Sequence, residues 1–509
     1  MKKKYCILYL CLVICLIILF IVINNYKENN LNKTAAVNND FSNYNNYIID
    51  LNNEKIVSIT NAGIYTLKGN LDGYIKVNVD DDVKLVLDNA TIENDNGPAI
   101  LIENSKKTYI ELIGENYLSD SKSYNGYDDN VRSAIYSNND LYIIGDGTLN
   151  LDANYEDGIV VKSNIYILSG SINITSIDDG VRSNDSINIE NSTINITSNG
   201  DGIKAENNLT IISGIFNIIT GGNINNKSSK AIKAGNLIEI ESGNFKINSY
   251  DDAIHSNSTI IINDGYFDII SGDDGIHADN ELVINKGDIV INKSYEGLEA
   301  NAITINDGTI SVVASDDGIN VATKDENMGS ISILTINGGK IYVNASGDGL
   351  DSNGSIMINN GTIVIEGPTS NGDGSLDYDN KLIINGGTIV AIGSSGMVQN
   401  LSADSKQVGV LINLDTQVSG TLINLEGILT FKPTKQYSSI FISSPNIKEN
   451  ATYNLSLGGD VNGDSVNGLY LDGEYTGGNI NMVLTISGIV NNYGNRGFNN
   501  KGGRNNIRR

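Results

Sequence analysis

Cysteine is missing from all but the first fifteen positions of this 509-residue chain: Cys6, Cys11 and Cys15 are the only three. The remainder forms no disulfide and offers no thiolate as nucleophile or metal ligand. Proline occurs four times and tryptophan not at all. Positive charge is also scarce, with 34 Lys and Arg against 60 Asp and Glu, a net charge of −26. Nucleic acid is therefore excluded as a partner, and anionic lipid would be repelled by the main body unless bound cations reverse the local sign. Divalent cations become the natural suspects. No Gly-rich phosphate loop or nucleophile elbow occurs. The nine-residue calcium β-roll "GGxGxDxUx" is absent, and so is the L-x-x-L-x-L frame with an Asn ladder of leucine-rich repeats.

What is present starts with Lys2, Lys3 and Lys4, followed by an uncharged run from Tyr5 to Ile23, long enough to cross a bilayer. The basic flank should stay in the cytoplasm. The run has no small-residue cleavage site, so residues 1–24 read as an uncleaved signal-anchor. The "LVI" before Cys15 also lacks the small residue of a lipoprotein site. The rest is expected outside the cell, tethered to the membrane, or secreted if the signal is cut. Residues 25–46 form an Asn-rich spacer, and 491–509 form a Gly/Asn-rich basic tail expected to be disordered.

Between them, short aliphatic runs of alternating period end at Gly, Asn or Asp and read as strands. The acid before a "G-aliphatic" step recurs at Asp157, Asp179, Asp201, Asp252, Asp274, Glu296, Asp317, Asp348 and Asp373, with Lys230 in one slot. Most intervals are 22 residues. A second marker keeps the same beat: the inter-strand glycine at 147, 170, 214, 243, 265, 287, 308, 339, 361 and 387, with Ser192 in one slot. Both ladders lengthen at the same two insertions. Three short strands per period, with no room for a helix, predict an all-β parallel β-helix over 47–395, a solenoid of coils of about 22 residues. Residues 396–490 are strand-rich but off the beat and are expected to cap the far end.

Neighbouring coils lie about 4.8 Å apart, so like charges in one column would cost about 3 kcal/mol per pair at an effective dielectric near 20. Calcium, with oxygens at about 2.3–2.6 Å, spans the same gap. The expected ligands are the pairs Asp178 and Asp179, Asp251 and Asp252, Asp273 and Asp274, Asp316 and Asp317, with Asp201 and Asp348 in line. Asp-Gly is also a common turn dipeptide, but a turn needs no second acid and none directly above it. Lys230 breaks the ladder and reads as a built-in counter-ion. Tyr155, Tyr250 and Tyr295 stand beside acid steps, where rings either stack on sugar faces or cover a turn. Lys204 and Lys233 share the slot after the Gly-Ile step, with Arg182 and Arg132 read as sharing it too. These lysines are candidate substrate contacts. His255 and His277, one coil apart, read as a stacked pair. Insertions at 221–230 and 323–334 are expected to rise as walls beside the acidic turns.

The iterated "SxDDGIxA" coil, the leading "LDNATIENDNGPAI" and the trailing "YSSIFISSPNIKENATYNL" and "NGLYLDGEYTGGNI" resemble the bacterial carbohydrate-binding β-helix domain family over roughly residues 47–490. The resemblance implies a right-handed parallel β-helix that binds calcium, cellulose and acidic sugars, similar in structure to the calcium-dependent polysaccharide lyases of family nine. It implies that the acid pairs are calcium ligands. This chain departs from the pattern at Glu156 and Asp157, at Glu296 and Gly297, and at Lys230. The expected protein is a monomeric, non-catalytic binder of cellulose or uronic-acid polymers. The alternatives are a pectate-type lyase, in which a lysine or arginine removes a proton beside a calcium-bound carboxylate, and a purely structural surface solenoid.

Overall fold

The structure is a computed structural model that describes residues 41–221, 228–322 and 332–494. Each coil contributes one strand to each of three stacks. The first stack runs through Ile187–Ile189, Asn208–Ile211 and Leu237–Ile240, the second through Ser192–Ser198, Gly214–Thr220 and Asn244–Asn248, and the third through Val181–Ser183, Ile203–Ala205 and Ile232–Ala234. Every pairing within these stacks is parallel, joining a strand to its equivalent one coil on. The third stack counts thirteen strands among the described residues, from Ile56–Ile59 to Leu350–Ser352. At the usual strand spacing that is a rod roughly 55–60 Å long.

Alternation selects the inward side chains. Ile203, Ile232, Ile254, Ile276, Leu298, Ile319 and Leu350 stack in one register column and are all fully buried. Each contributes about 1.5–3 kcal/mol by leaving water. Phe216, Phe245 and Phe267 stack inside the second column with centroids 4.6 Å apart. The inter-strand glycines turn the chain between the first two stacks; Gly287 and Gly308 have φ of +122° and +117°, which favours glycine. Where Ser192 fills that slot, the left-handed residue is instead Asn191, at φ +45°, a residue type that tolerates this region.

Two amide ladders reinforce the coils. Nδ2 of each Asn donates to Oδ1 of the Asn one coil earlier through Asn150, Asn173, Asn195 and Asn217, at 2.7–2.8 Å. A second ladder runs through Asn263, Asn285, Asn306, Asn337, Asn359 and Asn385. The sequence reading did not anticipate either one.

Antiparallel strands follow the last coil. Tyr437–Ser443 pairs antiparallel with Thr388–Gly393, the last strand of the second stack, and with Gly409–Gln417. A five-stranded antiparallel sheet packs beyond it. Fully buried Glu366 fastens this cap: its Oε2 accepts from the Thr434 and Lys435 backbone N–H groups and the Thr434 hydroxyl, and Oε1 accepts from Tyr342.

Val490–Tyr493, at the start of the expected tail, is a strand paired with Gly409–Ile412, and residues 495–509 lie outside the described residues. The spacer ends earlier, because Phe41 is buried against Tyr109. No helix among the described residues is long and apolar enough to cross a membrane; the run at 5–23 lies outside them, as do 222–227 and 323–331 within the expected walls.

Candidate functional site

The turn between the second and third stacks carries the acids, and the two members of each pair differ. The inner acid is buried from Asp157 to Asp274 and half-buried at Asp317 and Asp348, and its Oδ1 accepts the backbone N–H of the equivalent residue one coil on. Asp179 N donates to Asp157 at 2.9 Å, Asp201 N to Asp179 at 2.8 Å and Lys230 N to Asp201 at 2.9 Å. The pattern resumes with Asp274 N to Asp252 at 3.1 Å, Glu296 N to Asp274 at 3.3 Å, Asp348 N to Asp317 at 2.6 Å and Gly374 N to Asp348 at 2.5 Å. These N–H groups hold the carboxylates in column without an ion between every pair. Gly374 rather than Asp373 occupies the last step.

The second oxygen of Asp179, Asp201, Asp252 and Asp274 faces the middle residue of a third-stack strand. In register that column reads Arg182, Lys204, Lys233, His255, His277, Glu299, Asn320, Asp351. It is basic toward the N-terminal end and acidic toward the C-terminal end. Arg132 does not belong to it: Ile135 pairs with Ile159, so Tyr136 occupies the slot and Arg132 lies on the turn, within 3.4 Å of Glu156 and Asp157. The "VRS" shared with Arg182 misaligned the two by matching side chains rather than the inward aliphatic residue.

In the basic half most acids meet a cation, although burial and the next aspartate along still raise Asp157 to about 7 and raise Asp179. Lys204 Nζ lies 3.0 Å from Asp201 and 3.5 Å from Asp179, and Lys233 4.0 Å from Asp201. Burial raises the Asp201 pKa, but Lys204 and Lys233 outweigh it and leave it below the usual range. Burial lowers the Lys204 pKa, but Asp179 and Asp201 outweigh that and raise it. Lys230 reaches Asp251 at 2.9 Å and Asp252 at 2.5 Å. His255 Nδ1 lies 2.8 Å from Asp252, and His277 Nδ1 lies 3.0 Å from Asp274 and 3.2 Å from Glu299. The two rings meet edge-on, with centroids 4.8 Å apart.

The acidic half has no such answer. Asp317, Asp348 and Asp351 bring one carboxylate oxygen each within 4.8 Å of one another, and none forms an ion pair with Lys, Arg or His among the described residues. Burial, followed by the neighbouring carboxylates, pushes Asp317 up to about 6, Asp348 to about 8 and Asp351 to about 7. Glu296, one coil before Asp317, rises to about 8, again mainly through burial. An all-oxygen donor set of this spacing fits a hard divalent cation.

Of the sequence-predicted acids, Asp178 and Asp179 group with Asp157, Asp251 and Asp252 with Asp273, Asp274 with His277 and Glu299, and Asp317 and Asp348 with Asp351. Asp201 is bound to its lysines, and Asp316 receives a hydrogen bond from Tyr295, whose pKa that contact pushes up to about 12. Asp351 and Glu299 were missed. Their signal is their place in the repeat, since both occupy the slot of Lys204. Tyr250 is 72% exposed and Tyr295 48% exposed, while Tyr155 stacks on Tyr124 at 4.5 Å. Tyr250 borders a trough of about 760 Å³ with Asp251, Asp273 and Lys293.

The described residues form a parallel β-solenoid with one face rich in charged side chains. The profile of a family described as "Carbohydrate-binding domain-containing protein" matches residues 53–225, 193–275 and 271–413, and this chain belongs to that family. A curated relative of the same description from Acetivibrio thermocellus is 34% identical over 129 residues, covering 24% of this chain and 45% of the relative. The chain thus spans less than half of that relative's length. A solved structure, that of the polysaccharide lyase-like protein from C. thermocellum as its gadolinium derivative, is 28% identical and covers 47% of this chain and 96% of its own, with a TM-score of 0.38.

Proposed function

We propose that this chain is an extracellular, non-catalytic protein that holds polysaccharide against the acidic face of its solenoid with calcium. The supporting observation is the trio Asp317, Asp348 and Asp351, three converging carboxylates with no cation from the described side chains. Calcium bound there would neutralise the trio and keep positions open to sugar hydroxyls or uronate carboxylates. Asp317 and Asp348 present the turn side of the site, and Asp351 presents the strand side. Exposed Tyr295 and Tyr250, on the equivalent turns one and three coils before Asp317, offer rings to sugar faces.

The position of Lys204 favours binding over lyase chemistry. A lysine base works when its pKa is brought down toward neutrality, and the two aspartates hold Lys204 charged. Retention of the full chain on insoluble cellulose and on immobilised polygalacturonate, in calcium and in excess chelator, tests the reading. Retention in calcium that is lost in chelator and in Asp348→Asn is expected. Failure to bind either polymer in calcium would refute it, and release of unsaturated uronate from polygalacturonate would overturn the non-catalytic assignment.

A further inference from the structure

At the N-terminal end of the third stack the repeat is broken by an excursion. The chain leaves Glu115–Ser119 and returns only at Ser133–Ser137, whereas one coil later it passes from Thr148–Ala153 to Asp157–Val161 in three residues. The excursion is ordered by specific contacts. Asn125 N donates to Asn96 Oδ1 at 2.7 Å, and Asn96 Nδ2 donates back to Asn125 O at 3.2 Å. The Tyr124 hydroxyl donates to Asp120 at 2.7 Å, and its ring lies on Tyr155. Long ordered loops of this kind on a rigid scaffold commonly carry function.

Beneath the loop lies a cleft of about 920 Å³, with Tyr74, Tyr127 and Tyr136 among its walls and Asn94, Asn125 and Asn138 between them. The Tyr127 hydroxyl donates to Asn96 O at 3.1 Å and is also met by Asn94 and Tyr74. Tyr136 donates to Asn138 Oδ1 at 3.0 Å. These bonds fix the rings before any ligand arrives, which lowers the entropy cost of binding.

Its charges are answered locally. Lys76 lies 2.7 Å from Glu103, Lys55 pairs with Asp72, and Asp128 accepts from Asn130 N and Nδ2 at 2.9 and 2.6 Å. Nothing here calls for a cation or selects a charged ligand, in contrast to the carboxylate trio eight coils and roughly 40 Å away. The half-buried rings of Tyr74 and Tyr127, with buried Tyr136 beneath and amide side chains beside them, suit a pyranose with equatorial hydroxyls, whose C–H face is apolar and whose rim carries donors and acceptors. The volume is in the range of small-molecule sites.

We propose that this cleft is a second carbohydrate site, which takes a short stretch of a neutral, equatorially substituted hexopyranose polymer without calcium. The proposal rests on the carbohydrate-binding reading but not on the metal. Titration calorimetry of the full chain with cellotetraose in excess chelator tests it, using wild type, Tyr74→Ala, Tyr74→Phe and Asn125→Ala. Binding by the wild type, a roughly tenfold loss in Tyr74→Ala, and weaker losses in Tyr74→Phe and Asn125→Ala are expected. Asn125→Ala removes only a rim side chain, and its backbone still holds Asn96, so it serves if Tyr74→Ala folds poorly. No cellotetraose binding in chelator, with polymer retention in calcium intact, overturns the cleft and leaves the acidic face standing. Wild-type affinity in both Tyr74→Ala and Asn125→Ala overturns it as well. If no polymer or oligomer binds under either condition, the carbohydrate reading fails and the cleft with it.

Discussion

Lys230 and Asp348 occupy equivalent steps of one column and meet opposite surroundings. Lys230 is a largely buried cation set among Asp251 and Asp252, an internal substitute for an ion. Burial raises the Asp252 pKa, but His255 and Lys230 outweigh it and hold the carboxyl well below its usual range. Removing the amine in Lys230→Met leaves two acids facing each other, and breaking such a pair costs about 3–5 kcal/mol. Denaturant unfolding in chelator should show that loss. Calcium should then raise the Tm of the variant more than that of the wild type, because the vacated position is lined by Asp251, Asp252 and Asp273. An equal calcium response in both proteins would mean that the lysine and the ion do not compete for one place.

At the level of strands and turns, the coils are held by repetition, so one altered rung acts on two neighbours. Asn306 donates to Asn285 and accepts from Asn337; Asn306→Ala should cost about 1–3 kcal/mol, read by thermal or denaturant unfolding, since two amides lose a partner. Gly180 packs more tightly: a Cβ there would lie 2.6 Å from the Gly202 carbonyl oxygen and 2.7 Å from Ile196. Gly180→Val should therefore abolish soluble, protease-resistant protein rather than weaken it. At the cap, Glu366→Ala strands the Thr434 and Lys435 N–H groups and should cost several kcal/mol, with limited proteolysis cutting first near 434. The coil period and the turn glycines were legible in the sequence because sterics and burial act at every repeat. The Asn ladders were not, because asparagine is so common in turns that a column of it looks like turn chemistry. Asp351 was hidden for a related reason: its column changes from basic to acidic along the rod, and a search for one residue type in a slot passes over such a change. The cleft beneath 120–132 lies where the repeat fails, and periodicity says nothing about an exception to itself.

For the whole molecule the carboxylates raised by burial set the response to pH; Asp120 and Asp157, near 6 and 7, contribute from the N-terminal part and the rest lie mainly in the acidic half. Glu296, Asp317, Asp348 and Asp351 have pKa values near 8, 6, 8 and 7, above the unfolded carboxylate values of about 4. Raised values mean that the fold binds more protons than the unfolded chain, so their full contribution is present below about pH 4 and is lost as pH rises toward 8. In chelator, Tm should fall between pH 5 and pH 8. With calcium the decline should flatten, and the calcium-induced shift should grow with pH; a shift independent of pH would place the ion away from this cluster. The same column has a further consequence. Along its last eight strands the middle residue changes from arginine and lysine, each matched by an aspartate, to glutamate and then to Asp351, which has no cationic partner among the described residues, so the face reads differently in its two directions. On the proposed reading, a polymer lying along it would meet a stretch that needs metal and a stretch that does not.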